Sequence, residues 1–235
     1  MRVKNYKICL ILAEESLESL IKKYQKYKNL ADFLELRIDY LKKIDFSDLE
    51  RLKKITLNEK NIIITCRKKE EGGRFNESEE KRLSLINFLL KLDFPYVDIE
   101  ASSYQNDLKP KKSKSKIILS YHNFEETPPE WYLRKIVWSI ENDNPDVIKI
   151  ATLVKEDYDR MKLFRLMVNK RFEENRVIIG MGEKGKITRL LGPILGNFYT
   201  YAVLDDEKNI APGQIKLSEI KKFMSFLALR IGGRA

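Results

Sequence analysis

Eight short runs of aliphatic and β-branched residues recur along the chain: KICLIL (7–12), FLELRID (33–39), NIIITCR (61–67), YVDIE (96–100), KIILSYH (116–122), VIKIAT (147–152), RVIIGMG (176–182) and YTYAVL (199–204). Most are followed by a segment whose apolar residues fall three and four positions apart. Examples are SLESLIKKYQKY after the first run, SEEKRLSLINFLLKL after the third, PEWYLRKIVWSI after the fifth and KLSEIKKFMSFLALRI after the eighth. A period of two giving way to one near 3.6, over and over, is the pattern of strands alternating with helices. Ser78 and the pair Pro128 and Pro129 stand where helix starts are expected. In a chain of 235 residues, close to the ~250 typical of the fold, this predicts an α/β architecture, a (β/α)8 TIM barrel forming a single domain over residues 1–235. An open doubly wound sheet fits less well. No GxGxxG follows the first run, and no break in composition marks a second domain.

Alternation within the runs sorts side chains between the two faces of each strand. In FLELRIDY, Leu34, Leu36 and Ile38 share one face, and Glu35, Arg37 and Asp39 share the other. The apolar face must pack against helices, so the charged face points into the barrel. The same count turns Ile63, Thr65 and Arg67 inward on the third run, Asp98 and Glu100 on the fourth, Ser120 and His122 on the fifth, and Val147, Lys149 and Ala151 on the sixth. Most of these charges fall near the carboxyl ends of their strands, where such barrels build active sites.

Asp39, Asp98 and Glu100 are expected to neutralise neighbouring cations in a structural network. Lys149 resists that explanation, because a buried, unpaired ammonium is costly. Beside Arg37 or Arg67 its charged form would be disfavoured by burial and like charge, which would free a lone pair to attack a carbonyl. His122 is the one histidine of the chain. At the end of its strand it suits proton transfer. Lys149 is therefore the candidate Schiff-base nucleophile, with His122 moving protons beside it.

Charge and cysteine content narrow the partners. Lys and Arg number 45 against 35 Asp and Glu, a formal charge of +10, which could serve nucleic acid or an anionic substrate. The densest basic run, KPKKSKSK (109–116), has no interleaved aromatic residue and reads as a solvated loop rather than a nucleic-acid groove. No apolar run approaches the ~20 residues of a membrane span, and the start of the chain lacks a signal-peptide pattern, so a cytoplasmic protein is expected. Cys9 and Cys66 sit inside apolar runs with no CxxC or histidine partner, as buried thiols do, and no metal site is expected.

The motifs ELRID (35–39), TCR (65–67) with EGG (71–73) beyond it, VDIE (97–100), SYHNF (120–124), IKIAT (148–152), GMGEKGKITRLLG (180–192) and APGQI (211–215) run through nearly the whole chain. In this order they resemble the type I 3-dehydroquinate dehydratases of the shikimate pathway. The resemblance implies a (β/α)8 barrel, usually a homodimer, that dehydrates 3-dehydroquinate to 3-dehydroshikimate without metal or cofactor. It implies that Lys149 forms the imine with the substrate ketone and that His122 helps form and hydrolyse it, takes the proton from the adjacent carbon and protonates the leaving hydroxyl. It further implies that Glu71 orients the histidine or the leaving group, that Glu35, Arg37 and Arg67 hold the substrate, that Arg189 clamps its carboxylate, and that Gln214 lies in a lid-like loop over the site. Without the resemblance, Gly182, Gly185 and Arg189 would suggest a phosphate site.

Three positions depart from the family pattern: Ile210 stands before APGQ in place of a small hydroxyl residue, Asn123 follows the histidine in place of Asp, and Asn197 stands in place of Ser. They are expected to affect substrate binding and the orientation of His122. The rival readings are a class I aldolase, which would use Lys149 but need a phosphate cradle, and a non-catalytic basic nucleic-acid-binding protein, which would leave the inward charges unexplained.

Overall fold

In a computed structural model that describes residues 6–108, 113–171, 173–207 and 211–231, the expected alternation is realised. The elements are β1 (Ile8–Ala13), α1 (Leu17–Tyr27), β2 (Phe33–Arg37), α2 (Phe46–Ile55), β3 (Ile62–Thr65), α3 (Glu79–Lys91), β4 (Tyr96–Glu100) and α4 (Ala101–Asp107). They continue with β5 (Lys116–Asn123), α5 (Glu130–Glu141), β6 (Val147–Leu153), α6 (Asp157–Val168), β7 (Arg176–Met181), α7 (Lys186–Leu195), β8 (Thr200–Ala202) and α8 (Leu217–Ile231). All ladders are parallel, in the order β7-β6-β5-β4-β3-β2-β1-β8. Each strand is joined to the next through a helix, as parallel pairing requires.

Local sequence explains the helix starts. Ser16 accepts the Ser19 N–H at the head of α1, and Ser78 accepts the Lys81 N–H at the head of α3. Asp45 and Asp48 form a reciprocal capping box at α2.

The two faces separate as the alternation requires. Leu10, Leu12, Leu34, Leu36, Ile62 and Ile64 pack outward against the helices. Cys9, Ile11, Phe33, Ile63, Val147 and Val177 belong to a second, inner cluster. The predicted third run ends early: β3 stops at Thr65, so Arg67 sits in the loop beyond it. Asp39 also leaves its strand, because β2 ends at Arg37 and Ile38–Tyr40 form a 3-10 turn. It is buried nonetheless.

The seam between β7 and β8 is closed by a single bridge, Arg176 to Asn197, together with the Phe198 N–H donating to the Arg176 carbonyl at 2.7 Å. The Asn197 side chain extends that seam: its Oδ1 accepts the Ile178 N–H at 3.0 Å, and its Nδ2 donates to the Ile178 carbonyl at 2.9 Å. One amide side chain thus does what a neighbouring strand residue would do. Asn197 serves the barrel wall and does not line the cavity that holds Lys149. Part of the basic run, residues 109–112, and Ile210 lie outside the described residues. No helix among the described residues is long and apolar enough to cross a membrane.

Candidate active site

Lys149, His122, Glu71, Glu35, Arg37 and Arg67 line one cavity at the carboxyl end of the barrel, with about 540 Å³ of empty space including its mouth. Arg189 and Gln214 line it as well. The sequence-derived set is therefore brought together whole.

Lys149 projects inward from the middle of β6 and is 4% exposed. Its Nζ donates to Asp98 Oδ2 at 2.7 Å and lies 3.4 Å from Glu35 Oε2. The expectation that guanidinium groups crowd this amine is corrected, because carboxylates occupy that ground. Arg67 stands one layer away, on the other oxygen of the same Asp98 carboxylate at 2.7 Å. Burial acts to raise the Asp98 carboxyl, but Arg67 and Lys149 outweigh it and hold the group well below the usual carboxylate range. Tyr201, which the sequence did not single out, lays its ring 4.6 Å from Nζ and bonds its hydroxyl to Tyr199 at 3.2 Å.

His122 lies on the neighbouring strand. Ser120 is the register partner of Lys149, so His122 stands two residues farther along β5. From strand spacing and rise, the two Cα atoms are about 8 Å apart, which lets both side chains reach one substrate. Burial, then the charges of Arg67 and Lys149, push the imidazole well below its ordinary value, so it is neutral near pH 7.

Glu71 meets the imidazole from the loop after β3. Its Oε2 accepts the His122 backbone N–H at 3.0 Å and lies 2.9 Å from Nδ1. An ionised Glu71 can only accept, so it fixes the imidazole proton on Nδ1 and leaves Nε2 as the base. The EGG motif shapes this loop: Gly72 has φ +78°, and a side chain there would collide with the Phe124 ring, while a Cβ on Gly73 would fall 1.9 Å from the Arg67 carbonyl oxygen.

Burial pushes the Glu71 carboxyl up to about 7. Below that pH its O–H donates to Nδ1 and moves the imidazole proton to Nε2, which removes the base. The value of kcat/KM is therefore expected to rise as pH climbs through about 7. Glu71→Gln should flatten that limb and lower kcat/KM roughly 10- to 100-fold. A limb unchanged in position and height would contradict the orienting role.

Arg67 is heavily engaged. It donates to Asp98, to Glu100 at 3.0 Å and to Ser120 at 2.7 Å. Glu100 in turn accepts from Arg82 at 2.7 Å, so it belongs to a structural network, as expected. Arg37 is held by Asp39 through two bonds of 2.8 Å.

Arg189 differs from these cations. It is 4% exposed on α7, its Nε has no hydrogen-bond partner, and no acid pairs with it among the described residues. Burial lowers it to about 10, with Tyr201 acting the other way. A desolvated guanidinium facing a cavity calls for a planar anion. α7 is held against β7 by Thr188, whose Oγ1 accepts the Gly180 N–H at 2.8 Å. The loop after β8 docks beside it through the Gly182 N–H and the Pro212 carbonyl at 3.1 Å, and Gln214 Oε1 accepts the Ala211 N–H at 3.0 Å.

The Asn123 side chain makes no hydrogen bond to the His122 ring among the described residues. Its Oδ1 accepts the N–H groups of Glu125 and Glu126, both at 2.9 Å, an Asx turn that Asp would form equally well.

The geometry has close company. A 3-dehydroquinate dehydratase of Coxiella burnetii is 36% identical over 217 residues, covering 92% of this chain and 91% of that protein. One of Methanocaldococcus jannaschii is 36% identical over 228 residues, covering 95% of this chain and all (100%) of that protein. The crystal structure of the 3-dehydroquinate dehydratase from Aquifex aeolicus superposes with a TM-score of 0.73 at 31% identity, over 94% of this chain and 98% of that one. The family described as Type I 3-dehydroquinase matches residues 8–230, and with that match, these relatives and an eight-stranded parallel barrel in hand, the chain belongs to the type I 3-dehydroquinase family.

Proposed function

We propose that this protein dehydrates 3-dehydroquinate to 3-dehydroshikimate, a step of the shikimate pathway, through an imine on Lys149 with His122 as general acid and base. One observation carries the assignment of roles: a buried lysine and a neutral imidazole on adjacent strands share a cavity with an unpaired guanidinium. The ketone goes to the lysine, the carboxylate to Arg189 and the proton chemistry to the histidine.

The electron flow follows from that placement. The Lys149 ammonium sheds its proton, and the free amine adds to the ketone carbon; loss of water then leaves a protonated imine. His122 Nε2 takes a proton from the adjacent carbon. The C–H electron pair becomes a C=C bond, and the C=N pair moves onto nitrogen, giving an enamine. The enamine expels the hydroxyl on the next carbon, which leaves as water with the proton His122 had taken. Water then hydrolyses the conjugated imine and frees the lysine. Glu71 positions the histidine, Glu35, Arg37 and Arg67 hold the substrate's polar groups, and the Gln214 loop covers the site and shields the imine from bulk water.

Purified protein is expected to turn 3-dehydroquinate into a conjugated enone detectable by ultraviolet absorbance. Truncating one partner of a buried charge pair costs about 2–5 kcal/mol, so Arg189→Ala should lower kcat/KM by about 100- to 1000-fold, mainly through KM. A KM close to that of the unaltered protein would rule out the carboxylate clamp.

The proposal includes a homodimer. Trp131 and Trp138, on one face of α5, are 68% and 63% exposed, and Tyr158 and Met161 of α6 are exposed as well. Light scattering should give twice the chain mass, and a Trp131→Lys, Trp138→Lys double variant should fall to one. A double variant that stays dimeric would move the interface elsewhere. The two buried, free cysteines agree with a cytoplasmic setting, and nucleic acid has no part in this reading.

A further inference from the structure

The cavity is rich in permanent cations. Arg37, Arg67 and Arg189 line it together with Lys149, and guanidinium groups keep their charge throughout the working pH range. A protonated imine formed there shares the cavity with those guanidinium groups and depends on negative charge held close to its nitrogen. The reaction needs that proton, because a neutral imine withdraws electrons too weakly to acidify the adjacent carbon.

Two carboxylates lie within ion-pair distance of the nitrogen among the described residues, Asp98 at 2.7 Å and Glu35 at 3.4 Å. Asp98 is the closer and the more firmly held. Its Oδ1 accepts from Arg67 Nη2 and from Ser120 Oγ, both at 2.7 Å, while Oδ2 faces Nζ. A carboxylate clamped on one oxygen cannot swing away when the amine becomes an imine. We propose that Asp98 is a catalytic residue, the counter-ion that keeps the Lys149 imine protonated while the neighbouring carbon gives up its proton.

The proposal rests on the reading of Lys149 as the imine-forming residue. Asp98 stays ionised throughout and exchanges no proton. When the C–H pair moves into the carbon skeleton, the nitrogen becomes neutral; when hydroxide departs, the pair returns and the cation re-forms against the same oxygen. The other groups around this nitrogen do not supply the negative charge. Burial keeps the Cys9 thiol on β1, the Tyr199 phenol just before β8 and the Tyr201 phenol on β8 protonated. The His122 imidazole of β5 is neutral. Tyr201 adds the π face of its ring, 4.6 Å from the nitrogen, and Glu35 on β2 is the secondary acid.

The test is the alkaline limb of kcat against pH, which reports groups in the enzyme–substrate complex. Removing an opposite charge at contact shifts a titration by about one to three units. In Asp98→Asn the limb should move down in pH by that amount, and Asp98→Glu should largely restore it. Ser120→Ala, which leaves the charge in place, should leave the limb where it was. Cyanoborohydride, which reduces protonated but not neutral imines, should still trap substrate on Lys149 in Asp98→Asn at acid pH, with trapping lost at lower pH than in the unaltered protein. Circular dichroism establishes folding. Should Asp98→Asn not fold, Tyr201→Leu should move the limb in the same direction by a smaller step. A limb at its original pH in the folded variant overturns the counter-ion role. A failure to trap any adduct in the unaltered protein would overturn the imine itself, a separate result.

Discussion

Lys149→Ala is expected to lower kcat for 3-dehydroquinate by at least about 10⁴-fold, the scale seen when a covalent nucleophile is removed from an enzyme that relies on it. The variant also strips Asp98 and Glu35 of the ammonium they share. Breaking a buried ion pair costs about 3–5 kcal/mol, so a lower melting temperature should accompany the loss. Lys149→Arg separates the two effects. It keeps a charge toward Asp98 but cannot form an imine, so it should retain more stability than the alanine variant and be equally inactive. Residual turnover within tenfold of the unaltered protein in the arginine variant would mean that the reaction does not pass through this nitrogen.

His122→Ala should lower kcat about 10²- to 10⁴-fold, the usual contribution of a positioned acid or base. The imidazole is used at more than one step, so the loss belongs near the upper end of that range. The fold should persist, because the side chain is anchored by one residue, Glu71, at the open end of the barrel. That carboxyl, already raised to about 7 by burial, can protonate when its partner is gone and so avoids leaving a bare buried charge. Near-normal turnover in a folded His122→Ala would transfer the proton chemistry to another group.

The barrel and the members of the site carried by its strand runs were legible because both depend on local periodicity, whereas Glu71, Arg189 and Gln214, which lie outside the strands, entered through the family resemblance. Period-two alternation places Glu35, Lys149 and His122 on inward faces whatever the register of neighbouring strands. Relations across the barrel were not legible. Asp98 reads as one more inward acid, and its contact with Lys149, 51 residues away and two strands over, depends on strand stagger, which no single strand encodes. The same holds for Tyr201, whose ring reaches Lys149 from β8. Asp39 was misplaced for a different reason. FLELRID continues its alternation through residue 39, but the chain turns after Arg37 and lets Asp39 fold back onto that guanidinium. Asn197 shows the limit of reading a departure from a motif as a change in chemistry, because its amide completes the β7–β8 seam.

The most direct measurement is peptide mapping by mass spectrometry after reduction of the protein with borohydride in the presence of 3-dehydroquinate. A single modified peptide carrying the reduced adduct on Lys149, absent without substrate and absent in Lys149→Ala, is the expected result. An adduct on a different lysine, or normal turnover with none on any lysine, would contradict the imine at this position.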